Sequence, residues 1–184
     1  MGRELIVFVE DRYGPEFVKK LVYYILRRNS IHGFTIICET YRPCHNLERK
    51  LLRHALQRTI ILVDGDFEPE RKYRGTLLGH VKPLEEKLGK HADWLEKYVK
   101  IVPLYVELEE WILGAYGIYG YHGKKPSEIL DEIESKRSRH GKRRRYRKRY
   151  IAKYVEHVLK NFDKVLEVES FRDFYDKVLL LTRT

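Results

Sequence analysis

Cysteine is almost missing from this chain. Cys38 and Cys44 are the only two in 184 residues, too few for a metal cage or a disulfide framework, and they point to a reducing, cytoplasmic setting. There is one Met, one Gln (Gln57) and three Asn (Asn29, Asn46, Asn161). With abundant Lys, Arg, Glu and Tyr, that scarcity leans toward a thermophile's composition. No apolar run approaches the roughly 18 residues of a membrane span, and the opening run is too short for a signal peptide. No GxxxxGK[ST] loop is present, which excludes a P-loop ATPase. The eight His show no zinc-ligand spacing with the cysteines.

What the chain does have is positive charge in one place. It carries 37 basic and 27 acidic side chains, a formal net charge of +10. Ten of the basic residues lie between Lys136 and Arg149, a stretch without Asp or Glu, and removing it leaves 27 against 27. Such a block repels itself unless it is solvated or faces a polyanion. Contact with phosphates releases counterions and gives salt-sensitive binding, with Tyr146 and Tyr150 available to stack on bases. Lys142, Arg143, Arg144, Arg145, Arg147, Lys148 and Arg149 are therefore candidate nucleic-acid contacts. The alternative is a solvated helix face or loop.

Four short apolar runs read as buried strands: Leu5–Val9, Phe34–Cys38, Thr59–Val63 and Lys100–Val106, the last demoted toward a sheet edge by Pro103. Helical spacing fills the gaps. A first helix runs from Gly14-Pro15 to Arg28, and a second carries Leu47, Leu51, Leu52 and Leu56 behind Asn46 as N-cap. Phe67–Arg74 reads as a polar loop and Leu77–Tyr98 as a helical stretch in which Pro83 makes a kink, starts a second helix or breaks the helix. Beyond Trp111 the pattern gives a Gly- and Tyr-rich loop over Gly114–Gly123 and helices at Ser127–Glu134 and Tyr150–Phe162. A short strand at Val165-Leu166 and a last amphipathic helix over Ser170–Leu181 complete it. Alternating strands and helices predict an α/β, Rossmann-like fold. Its mostly parallel central sheet of about four strands is flanked by helices, with a core over 1–120, the part that the resemblance given below implies is catalytic, and a basic helical extension over 121–184 packed on the same domain.

Three of the apolar runs end in acid: Glu10, then Asp64-Gly65-Asp66, then Glu107 with Glu109. In open α/β sheets, sites form beyond the carboxyl ends of the strands. If these strands are parallel neighbours, their carboxylates project over one edge. Like charges that close need a cation, a proton or strong hydrogen bonds, and hard oxygen ligands suit Mg²⁺ or Mn²⁺. Against this stands the simpler reading that each acid caps the helix after it and that Asp-Gly-Asp is a turn.

The acid that follows Leu5–Val9, together with Asp64-Gly65-Asp66 after Ile60–Val63, resembles the toprim domain, and in particular its small stand-alone OLD-like nuclease branch. Glu109-Glu110-Trp111-Ile112-Leu113 is similar to that branch's third motif, and Ser170-Phe171-Arg172-Asp173-Phe174 to its closing Ser-Phe-x-x-Phe. The chain departs from the pattern at two positions. Asp11 stands where a Gly is usual and Gly14 where a further acid is usual, leaving Asp11 or Glu16 to supply that carboxylate. The resemblance implies Mg²⁺- or Mn²⁺-assisted phosphodiester cleavage of DNA or RNA, with Glu10, Asp64, Asp66 and Glu109 as metal-binding and catalytic residues. Arg71, Lys72 or Arg74, just beyond, would steady a phosphate. It also implies a separate ATPase as a conceivable partner. The alternative is a non-catalytic toprim-like module that grips nucleic acid or a ribonucleoprotein.

Overall fold

A computed structural model describes residues 3–137 and 145–183. Four parallel strands form the centre: β1 (Arg3–Val9), β2 (Phe34–Thr40), β3 (Arg58–Val63) and β4 (Val99–Pro103), in the order β2-β1-β3-β4. Pro103 does end an edge strand. Helices cover both faces, as the apolar runs require, and the fold is an α/β, Rossmann-like one. Among the described residues no helix is long and apolar enough to cross a membrane.

The strand pleat divides the core in two. Leu5, Val7, Val9, Ile60, Leu62 and Val102 point to one face, where α1 (Gly14–Arg28) and the helices after β4 pack on them. Ile6, Phe8, Ile61, Val63 and Ile101 point to the other. That face is covered by α2 (Leu47–Arg53), α4 (Leu84–Leu88) and α5 (Asp93–Tyr98) through Leu47, Leu51, Leu84, Trp94 and Leu95. Asn46 precedes α2 without a side-chain cap bond.

Two local expectations change, and one is made specific. The segment read as a polar loop after Asp66 contains α3 (Pro69–Thr76), where Pro69 suits the first helical turn and no apolar stripe announces the helix. The stretch interrupted at Pro83 is broken, as expected there: a π-turn at Leu77–Val81, then α4, which starts directly after Pro83, a 3₁₀ turn at Gly89–His91 and α5. Val165-Leu166 is not a strand: Val165 closes α9 (Phe162–Val165) and is buried against the sheet-facing helices.

The C-terminal helices belong to the same core as the sheet. After β4 come α6 (Glu109–Ala115), α7 (Pro126–Lys136), a 3₁₀ segment at Lys148–Tyr154, α8 (Val155–Lys160), α9 and α10 (Glu169–Arg183). Trp111 on α6 is fully buried, stacks on Phe174 with centroids 5.1 Å apart and meets Phe171 edge-on at 5.1 Å. Its indole N–H donates to Ser170 Oγ at 3.0 Å, and Ser170 Oγ–H donates in turn to Glu110. The Glu110 carboxylate also accepts the backbone N–H groups of Tyr105 and Val106 at 3.1 and 2.9 Å. Burial pushes its pKa up, and these donors work against that rise. Glu110 thus pins the loop after β4 to the start of α10. Phe174→Ala should cost about 3–5 kcal/mol in denaturant unfolding; a loss below about 1 kcal/mol would show that α10 is not part of the sheet's core.

Candidate acid cleft at the carboxyl edge of the sheet

The strand order makes the gap between β1 and β3 the topological switch point, since the chain leaves β1 toward β2 on one side and continues from β3 on the other. Register brings Val9 level with Thr40 and Leu62, and Val63 level with Pro103. The residues one or two places beyond these therefore share one edge.

Glu10 and Asp64 meet there. A Glu10 carboxylate oxygen accepts the Asp64 backbone N–H at 3.1 Å and the Tyr41 hydroxyl at 3.3 Å. Arg42 Nη2 reaches Glu10 Oε1 at 3.4 Å and Asp64 Oδ2 at 3.9 Å. Asp64 is 7% exposed. Burial first, then the Glu10 charge, push its carboxyl up to about 8, with Lys148 acting against them.

The Asp-Gly-Asp turn has a steric reason. The backbone of Asp66 and Phe67 donates to Val106 and Tyr105 carbonyls at 3.3 and 3.0 Å, zipping the turn to the chain after β4. A Cβ on Gly65 would run into the Leu104 carbonyl oxygen, so only glycine fits this approach. Asp66 and Phe67 both take positive φ, 47° and 68°. That backbone swings Asp66 aside: its carboxylate pairs with Lys72 Nζ at 2.7 Å and Lys125 Nζ at 3.9 Å, and the Lys72 bond holds its pKa down. Asp66 lines the cleft but is half exposed and already partnered.

The remaining acids gather around one lysine. Lys148 Nζ lies 2.7 Å from Glu107, 3.3 Å from Asp11 and 3.7 Å from Glu109. Glu109 is 1% exposed; burial and then Glu107 push its carboxyl up to about 7, although it accepts the Tyr146 hydroxyl at 2.7 Å. Burial lowers the Lys148 ammonium's pKa, but the three acids outweigh it and leave the pKa raised. Asp11, Asp64, Asp66, Glu107 and Lys148 line a cleft of about 820 Å³.

The structure separates the alternatives that the sequence left open. Asp11 supplies the extra cleft carboxylate, whereas Glu16 points to solvent and pairs with Lys20 at 2.8 Å. Gly14 has no room for an acid: a Cβ there would meet Leu108 Cδ1 at 2.5 Å and Val9 Cγ1 at 2.7 Å. Of the three basic residues after Asp66, Lys72 reaches the cleft's rim. Arg71 pairs with Glu68 at 2.5 Å, and Arg74 lines a separate groove beside Tyr73 and Asp173. Arg145, Arg147 and Arg149 are exposed, and Lys142, Arg143 and Arg144 lie outside the described residues. Arg42 and Tyr41 join the site although no motif in the sequence marks them. Their signal is position: they follow β2, which pairs with β1, and so reach the same edge.

The donor set is all hard oxygen, the chemistry of Mg²⁺ and Mn²⁺. Among the described residues, however, no three His, Cys, Asp or Glu side chains are grouped to hold a metal ion. Glu10 and Asp64 are two carboxylate residues at this edge, and Mg²⁺ commonly takes one or two carboxylates and keeps several waters.

Because Asp64 and Glu109 are raised in the folded state, their protonation stabilises the fold fully below pH about 4, and that contribution is lost as pH rises from there to about 7 and 8. Asp64→Asn in chelator-treated protein should match the parent's Tm near pH 4. Above pH 8 it should exceed the parent by about 2–4 °C, the shift that 1 kcal/mol makes at this size. Equal Tm values at both pH values would show that Asp64 is not strained by its neighbours.

No protein-family model matches the chain, and neither a curated protein nor a solved structure matches it.

Proposed function

We propose that the chain is a toprim-like, metal-dependent nuclease that hydrolyses phosphodiesters of DNA or RNA at the Glu10–Asp64 edge. The observation that carries this reading is the meeting of those two carboxylates at the switch point, with Asp64 raised by burial and by Glu10. A separate ATPase partner is compatible with the lack of a P-loop here.

Glu10 and Asp64 would hold Mg²⁺ or Mn²⁺; Asp66 and Glu109, the other two expected ligands, are held by Lys72 and by Tyr146. Such an ion supplies Lewis-acid polarisation of a phosphoryl oxygen and a water acidic enough to attack phosphorus. The chain's own residues do the rest. Arg42 is half exposed beside both acids and is placed to contact a phosphate oxygen as it leaves Glu10. Glu109 Oε1 is held by the Tyr146 hydroxyl, which fixes the carboxyl's orientation, and its raised pKa suits proton exchange near neutral pH. Lys72 and Lys125 at the rim, with exposed Arg145, Arg147 and Arg149, offer positive charge for the flanking backbone.

A second reading is favoured by one observation: the acids already have internal cationic partners in Arg42, Lys72, Lys125 and Lys148. On that reading the chain binds nucleic acid without cutting it.

Purified protein should cut single- or double-stranded DNA or RNA in Mn²⁺ or Mg²⁺, and Asp64→Asn should abolish cutting while sparing binding. Binding with no cutting in either ion would overturn the nuclease reading in favour of the module. Replacing Arg145, Arg147 and Arg149 by Ala should lower the slope of log K against log salt by about 0.7–0.9 for each phosphate these side chains neutralise. An unchanged slope would remove these residues from the interface.

A further inference from the structure

Arg12, Arg42, Lys125 and Lys148 are the basic residues among the described lining of the cleft, and three of them are occupied by its acids. Arg42 reaches Glu10 at 3.4 Å, Lys125 reaches Asp66 at 3.9 Å and Lys148 reaches Glu107 at 2.7 Å. Arg12 differs. It is exposed, makes no ion pair among the described residues, and sets its guanidinium 5.0 Å from the centroid of the Tyr13 ring. Tyr13 is the aromatic residue in that lining and is 39% exposed. An open ring with an unpaired cation on it is the combination that takes a nucleic-acid base by stacking and its phosphate by charge.

The pair is also held in place. Tyr13 N–H donates to Asp11 Oδ1 at 2.6 Å, and Asp11 in turn lies 3.3 Å from Lys148 Nζ. Tyr13 stands directly before α1, whose first residue, Gly14, is packed so closely on Leu108 and Val9 that it leaves no room for a Cβ. The backbone that carries the ring is thus fixed before any ligand arrives, which lowers the ordering cost of stacking on it.

The depth of the acids bears on which strand can enter. Asp64 is 7% exposed, so a phosphodiester has to come into the cleft to meet it. A duplex is stiff and keeps its bases stacked inward. A single strand can bend in and lay an unstacked base on an aromatic ring.

We infer that Arg12 and Tyr13 form a nucleotide subsite of the cleft, with a base stacked on the Tyr13 ring and an adjacent phosphate on Arg12, so that the chain takes single-stranded rather than duplex nucleic acid. The inference rests on the reading of the Glu10–Asp64 edge as the place where a phosphodiester is cut. It names the strand state of the substrate, which the acids alone leave open. It also puts recognition on the loop between β1 and α1 rather than on the basic segment. A ring face and a phosphate contact read no base sequence.

Fluorescence anisotropy with the full-length chain in chelator, where metal-dependent cutting is silent, tests this. The probes are oligo-dT and oligo-U of equal length, a strand of that length with abasic sites in place of its bases, and a dT·dA duplex. The parent should bind dT or U more tightly than it binds the abasic strand or the duplex, and the difference between dT and U tells a deoxyribose strand from a ribose one. Tyr13→Ala should weaken binding of the preferred strand about 5- to 150-fold, the range for losing one base–aromatic stack. It should leave abasic-strand binding unchanged, and Tyr13→Trp should keep the parent's affinity. Arg12→Gln should lower the slope of log K against log salt by about 0.7, one phosphate on a single strand. Equal parent affinity for the based and abasic strands, tighter binding of the duplex, an unweakened Tyr13→Ala or an unchanged slope in Arg12→Gln would each overturn the subsite. If Tyr13→Ala does not fold, the parent's comparison of based and abasic strands still decides. Mn²⁺-dependent cutting is read separately. A chain that binds through Tyr13 and does not cut overturns the Glu10–Asp64 reading and leaves the nucleotide contact; a chain that cuts and binds independently of Tyr13 overturns the subsite alone.

Discussion

Crowding of like charge at one sheet edge is the constraint on which the rest of this structure turns. Glu10 and Asp64 come from adjacent parallel strands, and Asp11, Glu107 and Glu109 stand beside them around Lys148. Carboxylates removed from water and set side by side raise one another's proton affinity, and Asp64 and Glu109 both carry that mark. The basic side chains nearby answer this charge. Arg42 leans over one pair, Lys148 sits among three acids, and Lys72 and Lys125 hold Asp66 at the rim. A fold that needed only stability would gain by replacing such acids, since buried charge is seldom the most stable packing. Their gathering at the switch point is the observation on which the proposed nuclease reading rests.

The C-terminal helices make the arrangement durable. Trp111, Phe171 and Phe174 bury α6 and α10 against the sheet, and Glu110 ties the loop after β4 to α10 through Ser170. Glu109, beside it in the chain, instead meets Lys148 and the Tyr146 hydroxyl, while Glu110 meets Ser170 and the loop after β4. Adjacent acids on one helix turn thus do different jobs: one ties the loop to α10, and the other meets Lys148 beside Glu107. The same packing sets Tyr146 and Lys148 over the cleft, so the basic segment and the acid edge form one electrostatic unit.

Much of this is legible in the residues. The four apolar runs become four parallel strands, and the two central ones, β1 and β3, are buried through most of their length, which leaves them little choice but to be continuous and aliphatic. The acids at their ends are legible for the same reason: a charge after such a run can only lie at the edge. Other features are not, and the causes are physical. Arg42 and Tyr41 depend on which strands are neighbours, which no single run encodes. Asp66 turns aside because Gly65 packs on the Leu104 carbonyl and the next two residues take positive φ, a tertiary contact invisible in Asp-Gly-Asp. Lys148 looks like one more charge in a basic block, since its cleft partners lie far back in the chain, at Asp11, Glu107 and Glu109. Helix α3 has no apolar stripe to betray it, and Val165 is apolar because it faces the core from a helix rather than a strand.

Anomalous diffraction from a crystal of the full chain soaked in Mn²⁺ reaches the central claim most directly. The account predicts a Mn²⁺ peak bonded to carboxylate oxygens of Glu10 and Asp64, with Arg42 displaced. A cleft without Mn²⁺, with Arg42 still closed over both acids, would contradict it.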